Sequence, residues 1–273
     1  MKRLFGKDFA GRDFPVFSDD SFLVSYPRSG STWLRFLIGN LTCKDCPVTF
    51  QNVEKIIPDI HVNSLRFIAN VPRPRLIKSH EYYDPRYGKM VYLVRDPRDI
   101  ALSYYRYYRK IRRFPEGYPM DKYIASFLTG ELQSWGSWAQ NVSSWLAVRG
   151  GKPGFLLLRY EDLRQDPVGE LSRVCDFLQI RCTSDQLIKA IHLSSADRMR
   201  GLEMIQGDEW VTTRGTRKDV PFIGTATSGL WKTELGIDSL QAVEFAWGTL
   251  MTKLGYKLST GEYSEKRRQS CAS

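Results

Sequence analysis

A stretch of small and hydroxyl-bearing residues, YPRSGSTW at positions 26–33, has the composition of a phosphate-binding loop. It follows an apolar run at residues 22–24 and leads into a second apolar segment, a pattern that predicts a strand, a tight loop and a helix. Gly30 lets the backbone approach a ligand closely, and the amides from Ser29 to Thr32 can face an anion at the helix N-terminus. The G-x-x-x-x-G-K-[ST] signature of loops that bind nucleoside triphosphates is absent.

The side chains of this loop add to the anion site. Arg28 supplies a planar positive group, and Ser31 and Thr32 supply hydroxyl donors. Trp33 offers a flat face to a purine ring. The alternative interpretation is a capped helix after a turn, with Trp33 in the core, and the loop alone does not decide between the two.

A second group of chemically active residues lies in KMVYLVRDPRDIALSYY, residues 89–105. Arg95 comes directly after a predicted strand, at the carboxyl edge where open α/β sheets bind ligands. Ser103 lies two helical turns further along, so both side chains can reach one phosphate. The alternative is that Arg95 pairs with Asp96 or Asp99 and that Ser103 is a surface hydroxyl.

Alternating strands and helices must position these residues. Short apolar runs predict buried parallel strands at residues 22–25, 75–79, 90–94 and 155–158. Helices are predicted at residues 32–41, 97–110, 134–148, 167–178 and 239–254, and a loop or lid at 205–229. The alternation predicts a single α/β domain whose parallel sheet is covered on both faces. We expect an N-terminal segment at 1–20, the domain at 21–258 and a polar tail at 259–273.

Composition narrows the classes of partner. A net charge of +10, from 40 basic and 30 acidic residues, fits an anionic partner, although it is also compatible with solubility alone. The sequence has no run of about 18 apolar residues, so no membrane span is predicted. Five cysteines and no recognisable secretion signal favour a cytoplasmic protein with free thiols. Cys43 and Cys46 form a lone C-x-x-C pair without further ligands at matching spacing, so no metal site is expected.

Six segments, in order along the chain, resemble motifs of the PAPS-dependent sulfotransferases, where PAPS is 3′-phosphoadenosine 5′-phosphosulfate. YPRSGSTW is similar to their 5′-phosphosulfate loop, YPKSGTTW, and RDPRDIALSYY to their 3′-phosphate motif, RNPKDVAVSYY. Four shorter segments also match: IKSH at 77–80, RYEDL at 159–163, SSADRM at 194–199 and SGLWK at 228–232. The first two are specific, and the other four add weight mainly through their order and spacing.

The resemblance implies about five parallel strands in a fold related to nucleotide kinases, with PAPS as donor, adenosine 3′,5′-bisphosphate (PAP) as product and no metal. His80 would be the base that takes the proton from an acceptor hydroxyl. Lys78 shares the strand face of His80 and would neutralise the sulfuryl group, and Arg28 would stabilise the leaving phosphate. Donor contacts are implied for Arg28, Ser29, Gly30, Ser31, Thr32, Trp33, Arg95, Ser103, Tyr160, Ser195, Met199, Thr225, Thr227 and Gly229.

Two departures from the family pattern concern charge. Arg28 replaces the usual lysine, and arginine can hold charge but is a poor proton donor. The family's Arg-Lys-Gly clamp on the 3′-phosphate falls on residues 224–226, Gly-Thr-Ala, which carry no cation. Two substitutes are open: the amides and hydroxyls of Thr225 and Thr227, or the basic residues of the preceding loop, which are Arg214, Arg217 and Lys218.

Several residues outside the six motifs also have a predicted role. His61 and His192 lie outside the motifs and are expected to be structural. Trp135 and the pair Tyr82-Tyr83 are expected to line a pocket for a small hydroxylated acceptor, and the family's dimer motif matches too poorly to predict an oligomer.

Parts of the sequence suggest three alternative functions. A P-loop kinase lacks its lysine–serine pair here, and a donor-binding protein without catalysis is suggested by Gly224 and Thr225. A nucleic-acid-binding patch could form from Arg106, Arg109, Lys110, Arg112 and Arg113, but the element order is wrong for the common RNA modules, so no nucleic-acid partner is expected.

Overall fold

Four short parallel strands form the central sheet in the computed structural model, which describes residues 3–4, 7–8, 10–43 and 46–259. A short antiparallel pair, β1 (Arg3–Leu4) and β2 (Lys7–Asp8), precedes it. The sheet strands are β3 (Ser21–Ser25), β4 (Leu76–Ser79), β5 (Lys89–Val94) and β6 (Phe155–Arg159), in the spatial order β4-β3-β5-β6. The four strand predictions are confirmed to within one residue at each end.

Twelve α-helices accompany the strands in the part of the chain that the structure describes. They are α1 (Ser31–Thr42), α2 (Val53–Ile56), α3 (Leu65–Ala69), α4 (Pro97–Lys110), α5 (Met120–Thr129), α6 (Trp138–Arg149), α7 (Tyr160–Gln165), α8 (Pro167–Leu178), α9 (Ser184–Leu193), α10 (Ala196–Gln206), α11 (Trp231–Glu234) and α12 (Ile237–Lys253).

The expected sheet of about five strands needs a correction, because the sheet of the described residues has four. The apolar runs of the sequence supply four strands, and the higher number came from the resemblance alone. A single α/β domain with a parallel sheet flanked by helices is confirmed. The predicted tail at 259–273 lies outside the described residues from residue 260 onward, and the other domain bounds stay predictions.

Side-chain caps explain where several helices begin. Asp96 and Asp166 accept hydrogen bonds from the backbone amides of Arg98 and Gly169, and each precedes a proline in the first turn, so α4 and α8 begin where predicted. The helix predicted from residue 134 begins later, at Trp138. Ser137 and Gln140 form a reciprocal capping box there, which fixes the start of α6.

Alternation along the strands builds a core on each face of the sheet. Phe22 and Val24 of β3 pack into one apolar cluster with α4, α5, α6 and α12, whereas Leu23 packs into another with α1, α8 and α9. Because neighbouring strands are parallel and in register, their carboxyl ends meet at one edge. This edge therefore gathers the residues that follow each strand.

The predicted loop at 205–229 begins where α10 ends, at Gln206. It is anchored by Trp210 and Phe222, which are 3% and 9% exposed and whose rings meet edge to face at 5.1 Å. Trp210 also packs on Phe50, with ring centroids 4.7 Å apart. The loop is thereby packed against the body of the protein beside the carboxyl edge of the sheet.

Candidate active site

A cavity of about 630 Å³ lies at the carboxyl edge of the sheet. It extends from the loop before α1, across the start of α4 and the end of β6, to α10 and residues 222–227. Twelve of the fourteen residues implied as donor contacts line it; Ser29 and Gly229 do not, among the described residues. The cavity also includes Lys78 and His80, so the candidate catalytic and donor-binding residues share one space.

Backbone geometry shows why the first loop needs glycine at position 30. Gly30 has φ +101°, which side-chain-bearing residues rarely adopt, and it precedes the first turn of α1. A Cβ atom there would lie 2.6 Å from the ring of Tyr160. The loop therefore brings its backbone close against Tyr160, with the free amides of the α1 N-terminus beside the cavity.

Two buried polar atoms beside this loop lack a partner. The hydroxyl of Ser29 and the Nε of Arg95 are both buried and have no hydrogen-bond partner among the described residues. Buried polar atoms are nearly always paired, so these two are exceptions at the loop. Ser29 does not line the cavity, whereas Arg95 does.

Arg28 joins the first loop to α4. Its Nε donates to the hydroxyl oxygen of Ser103 at 3.1 Å, and its Nη2 donates to the carbonyl oxygen of Phe222 at 3.0 Å. The guanidinium also lies 5.1 Å from the ring centre of Tyr107. Burial lowers the pKa of Arg28 from its ordinary value. A fixed cation thus stands between the two predicted phosphate-binding segments.

Arg95 lies on the opposite side of the same loop. Its guanidinium stacks 4.4 Å from the ring centre of Tyr160, and its nitrogens donate to the carbonyl oxygens of Arg28 and Thr227, each at 3.3 Å. The alternative partner Asp99 is 4.0 Å away, and the Asp99 carboxylate instead accepts from the backbone amides of Gly229 and Trp231. Gly229 consequently supports the loop rather than lining the cavity.

An aromatic corner borders the phosphate-binding segments. The rings of Trp33 and Tyr160 meet edge to face at 5.7 Å, and the guanidinium of Arg164 lies 5.7 Å from the Trp33 ring centre. Ser195 and Met199, at the start of α10, line the same part of the cavity. The corner provides flat apolar faces of the kind that hold a purine.

Hydrogen bonds determine the tautomer of His80. Its Nδ1 lies 2.6 Å from the carbonyl oxygen of Ser25, which can only accept, so Nδ1 carries the proton and Nε2 is left as the basic nitrogen. Burial, with a smaller contribution from the positive charge of Lys78, lowers the pKa of His80 well below its ordinary value. His80 is therefore neutral near pH 7 and able to accept a proton.

The backbone and ring of His80 are held from three sides. Asn141 donates from Nδ2 to the carbonyl oxygen of His80 at 3.1 Å and accepts from the hydroxyl of Tyr92. The rings of His61 and Trp135 lie 5.6 Å and 5.3 Å from the His80 ring. These contacts fix the orientation of the imidazole.

Lys78 is paired rather than free. Its Nζ lies 2.5 Å from Oδ2 of Asp59, and both side chains are buried. Burial lowers the pKa of Lys78, and Asp59 opposes this shift. Burial, the largest single influence, would raise the pKa of Asp59, but Lys78 and the other positive neighbours together outweigh it and the pKa falls. The pair places a positive charge beside His80 that a carboxylate already partly balances.

Asp59 was not predicted from the sequence and His61 was expected to be structural, and both line the cavity. Oδ1 of Asp59 accepts from the backbone amide of His61 at 2.9 Å, and Nε2 of His61 accepts from the backbone amide of His80 at 2.8 Å. Burial lowers the pKa of His61 to about 4. The available signal was His61 itself, a histidine two residues after an aspartate, but its contact with His80 spans 19 positions of the chain.

The aromatic residues expected at the acceptor pocket separate. Trp135 lines the cavity, whereas Tyr82 and Tyr83 do not among the described lining residues. Tyr83 instead packs edge to face on Trp145 at 5.4 Å. The apolar wall beside His80 is therefore made by Trp135, with Val62 from the segment after His61.

The basic residues considered as one of two substitutes for the missing clamp have partners outside the cavity. None of these three described side chains lines the cavity: Arg214 donates to the carbonyl of Glu209, Arg217 pairs with Asp219 and Glu116, and Lys218 pairs with Asp208. Thr225 and Thr227 do line it.

The basic cluster on and after α4 is engaged within the protein. Lys110 is buried and lies 3.2 Å from Glu203, and Arg106 and Arg109 pair with Glu234 and Glu116. Arg112 and Arg113 donate to the backbone carbonyls of Gly215 and Leu132.

Two features are absent from the described residues. No cluster of three or more histidine, cysteine, aspartate or glutamate side chains is placed to hold a metal ion there. Among the helices of the described ranges, none is both long and apolar enough to cross a membrane.

Comparison with known proteins gives the class. A profile of the sulfotransferase domain matches residues 18–255. Sulfotransferase 1B1 of Canis lupus familiaris is 27% identical over 230 residues, covering 78% of this chain and 77% of the relative. Sulfotransferase 1A1 of Rattus norvegicus is 26% identical over 263 residues, covering 90% of this chain and 89% of the relative.

Solved structures share the fold. Mouse sulfotransferase SULT7A1 complexed with PAP matches with a TM-score of 0.72 and 23% identity, over 92% of this chain and 94% of that chain. Retinol dehydratase in complex with androsterone and the inactive cofactor PAP matches with a TM-score of 0.69 and 20% identity, over 88% and 82%. The chain belongs to the sulfotransferase family, and the suspected family and enzyme class are confirmed.

Proposed function

We propose that this sulfotransferase moves the sulfuryl group of PAPS to a hydroxyl of a small-molecule acceptor, and that His80 is the base. The observation that carries the proposal is a single cavity, about 630 Å³, that contains the α1 N-terminus, Arg95, Ser103 and His80. A structural relative holds PAP, and another holds PAP with androsterone. The proposed nucleotide therefore has precedent in the shared fold.

The donor residues divide by the charge that each would meet. In this proposal, the amides of residues 30–32 and the hydroxyls of Ser31 and Thr32 bind the 5′-phosphosulfate, and Arg95 with Ser103 binds the 3′-phosphate; all of these residues line the cavity. Trp33 and Tyr160, whose rings meet edge to face, would flank the adenine.

In the transfer, the acceptor oxygen forms a bond to sulfur while the bond from sulfur to the 5′-phosphate oxygen breaks. Nε2 of His80 takes the acceptor proton, since Nδ1 is already committed to Ser25. Arg28 stabilises the negative charge that grows on the leaving phosphate, and it remains protonated, so it acts by charge rather than as an acid. Lys78, partly balanced by Asp59, stabilises the sulfuryl oxygens.

The acceptor is proposed as a small molecule with a hydroxyl on an apolar frame. Trp135 and Val62 give an apolar wall beside His80.

Free thiols at Cys43, Cys175 and Cys182 support a cytoplasmic location, where thiols stay reduced.

The test is transfer from PAPS labelled in the sulfuryl group to a panel of phenols, sterols and aliphatic alcohols. We expect label in at least one acceptor, and a loss of about 100-fold or more in kcat for His80→Ala, which is the usual effect of removing a positioned base. PAP binding by the variant, measured by calorimetry, should stay unchanged. Undiminished transfer by His80→Ala would contradict the assignment of the base.

A further inference from the structure

Residues 222–227, FIGTAT, form an uncharged part of the cavity wall next to a predicted phosphate site. The carbonyl oxygen of Thr227 accepts from Arg95, so this segment lies against the group expected to bind the 3′-phosphate. A phosphate of charge near −2 calls for more than one cation when it is partly removed from water. The wall itself offers hydroxyls and amides.

Arg200 of α10 reaches this uncharged wall from the other side. Its Nη1 donates to the carbonyl oxygen of Gly224 at 2.9 Å, and the side chain lines the cavity. A Cβ atom built on Gly224 would meet no described atom within 4 Å, so the space beside the glycine is open. The guanidinium of Arg200 thus lies beside Gly224, a position that has no side chain of its own.

The Arg200 guanidinium has N–H donors left with which to bind an anion. Its partners among the described residues are the Gly224 carbonyl and the carboxylate of Asp197, one helical turn earlier, and an arginine has five N–H donors. The Asp197 side chain is 93% exposed, so this ion pair is screened by water and weak. A phosphate can therefore compete with Asp197 for Arg200 through charge-assisted hydrogen bonds.

We propose that Arg200 binds the 3′-phosphate of the donor nucleotide and so replaces, from α10, the cation that residues 224–226 lack. The inference rests on the proposed function, because it needs PAPS as the donor. It assigns the role to a residue outside the loop at 214–218, whose basic side chains pair elsewhere.

Calorimetric titration with two nucleotides isolates the contact. PAP carries the 3′-phosphate and adenosine 5′-phosphate lacks it. Arg200→Ala should weaken PAP binding by about tenfold or more, the usual effect of losing a hydrogen bond to a charged group, and change adenosine 5′-phosphate binding by less than about threefold. Arg198→Ala, which removes an exposed arginine on the same helix that does not line the cavity, should change neither.

A second variant places the charge on the other side of the contact. Because the space beside Gly224 is open, Arg200→Ala/Gly224→Arg should recover most of the lost affinity for PAP. A double variant no tighter than Arg200→Ala would contradict the location of the site. Equal losses for both nucleotides, or unchanged PAP binding in Arg200→Ala, would overturn the role of Arg200 while leaving the proposed function intact. A wild-type protein that binds PAP no more tightly than adenosine 5′-phosphate would overturn the proposed donor itself.

Discussion

Asp59→Asn isolates the charge of the carboxylate that pairs with Lys78. Asparagine keeps an oxygen that can accept from the amide of His61, as Oδ1 of Asp59 does at 2.9 Å, but it removes the negative charge 2.5 Å from Nζ of Lys78. The Lys78 and Asp59 side chains are only 7% and 8% exposed, so water cannot replace the lost partner. The variant leaves a buried cation without its counter-ion.

The expected cost follows from that burial. Removing one partner of a buried ion pair typically costs about 3–5 kcal/mol, so we expect the free energy of unfolding of Asp59→Asn to fall by about that amount at pH 7. Burial already lowers the pKa of Lys78, and losing Asp59 lowers it further. The folded variant then releases its proton at lower pH than the unfolded chain does, so its stability should rise with pH more steeply than that of the wild type.

Urea denaturation followed by tryptophan fluorescence at pH 7 and pH 9 measures both effects. The double variant Asp59→Asn/Lys78→Met is the control, because it removes the stranded cation and should recover part of the lost stability. A decrease below about 1 kcal/mol for Asp59→Asn, or a double variant no more stable than the single one, would show that the pair is not a buried, mutually dependent ion pair.

Two further predictions concern the donor loop and the buried histidine. Gly30→Ala should weaken PAP binding by about tenfold or more, because a side chain at φ +101° is strained and its Cβ would meet the Tyr160 ring. Calorimetry measures the affinity beside a control, Gly88→Ala, where a Cβ meets no described atom within 4 Å. Equal effects of the two substitutions would refute the prediction. His61, whose pKa burial lowers to about 4, should contribute stability above pH 6.5 that is lost as the pH falls. The wild type should lose about 2 kcal/mol more than His61→Asn between pH 7 and pH 5 in urea denaturation, and parallel losses would contradict the burial of a neutral imidazole.

Local signals explain what the sequence predicted well. The apolar runs gave all four sheet strands, and a proline in the first turn gave the starts of α4 and α8. The start of α6 was placed too early, because the reciprocal bonds of Ser137 and Gln140 decide it rather than the spread of apolar residues. Features that one segment determines by itself were therefore accessible from the sequence.

The site was only partly accessible, since much of it depends on contacts between distant segments. Twelve of the fourteen residues predicted for the donor come together in one cavity, although their roles stay predictions. Asp59 and Arg200 carry no local signal, because Asp59 acts on Lys78 across 19 positions and Arg200 acts on Gly224 across 24. Only the packing of the two segment pairs reveals them.

The central claim is that one nucleotide with two phosphates lies across the two anion-binding segments, with its 5′ end toward His80. A crystal structure with PAP tests it most directly. We expect the 5′-phosphate on the amides of residues 30–32, the 3′-phosphate within hydrogen-bond distance of Arg95 and Ser103, and Nε2 of His80 facing the 5′-phosphate. PAP bound outside this cavity, or bound with its 5′-phosphate turned away from His80, would contradict it.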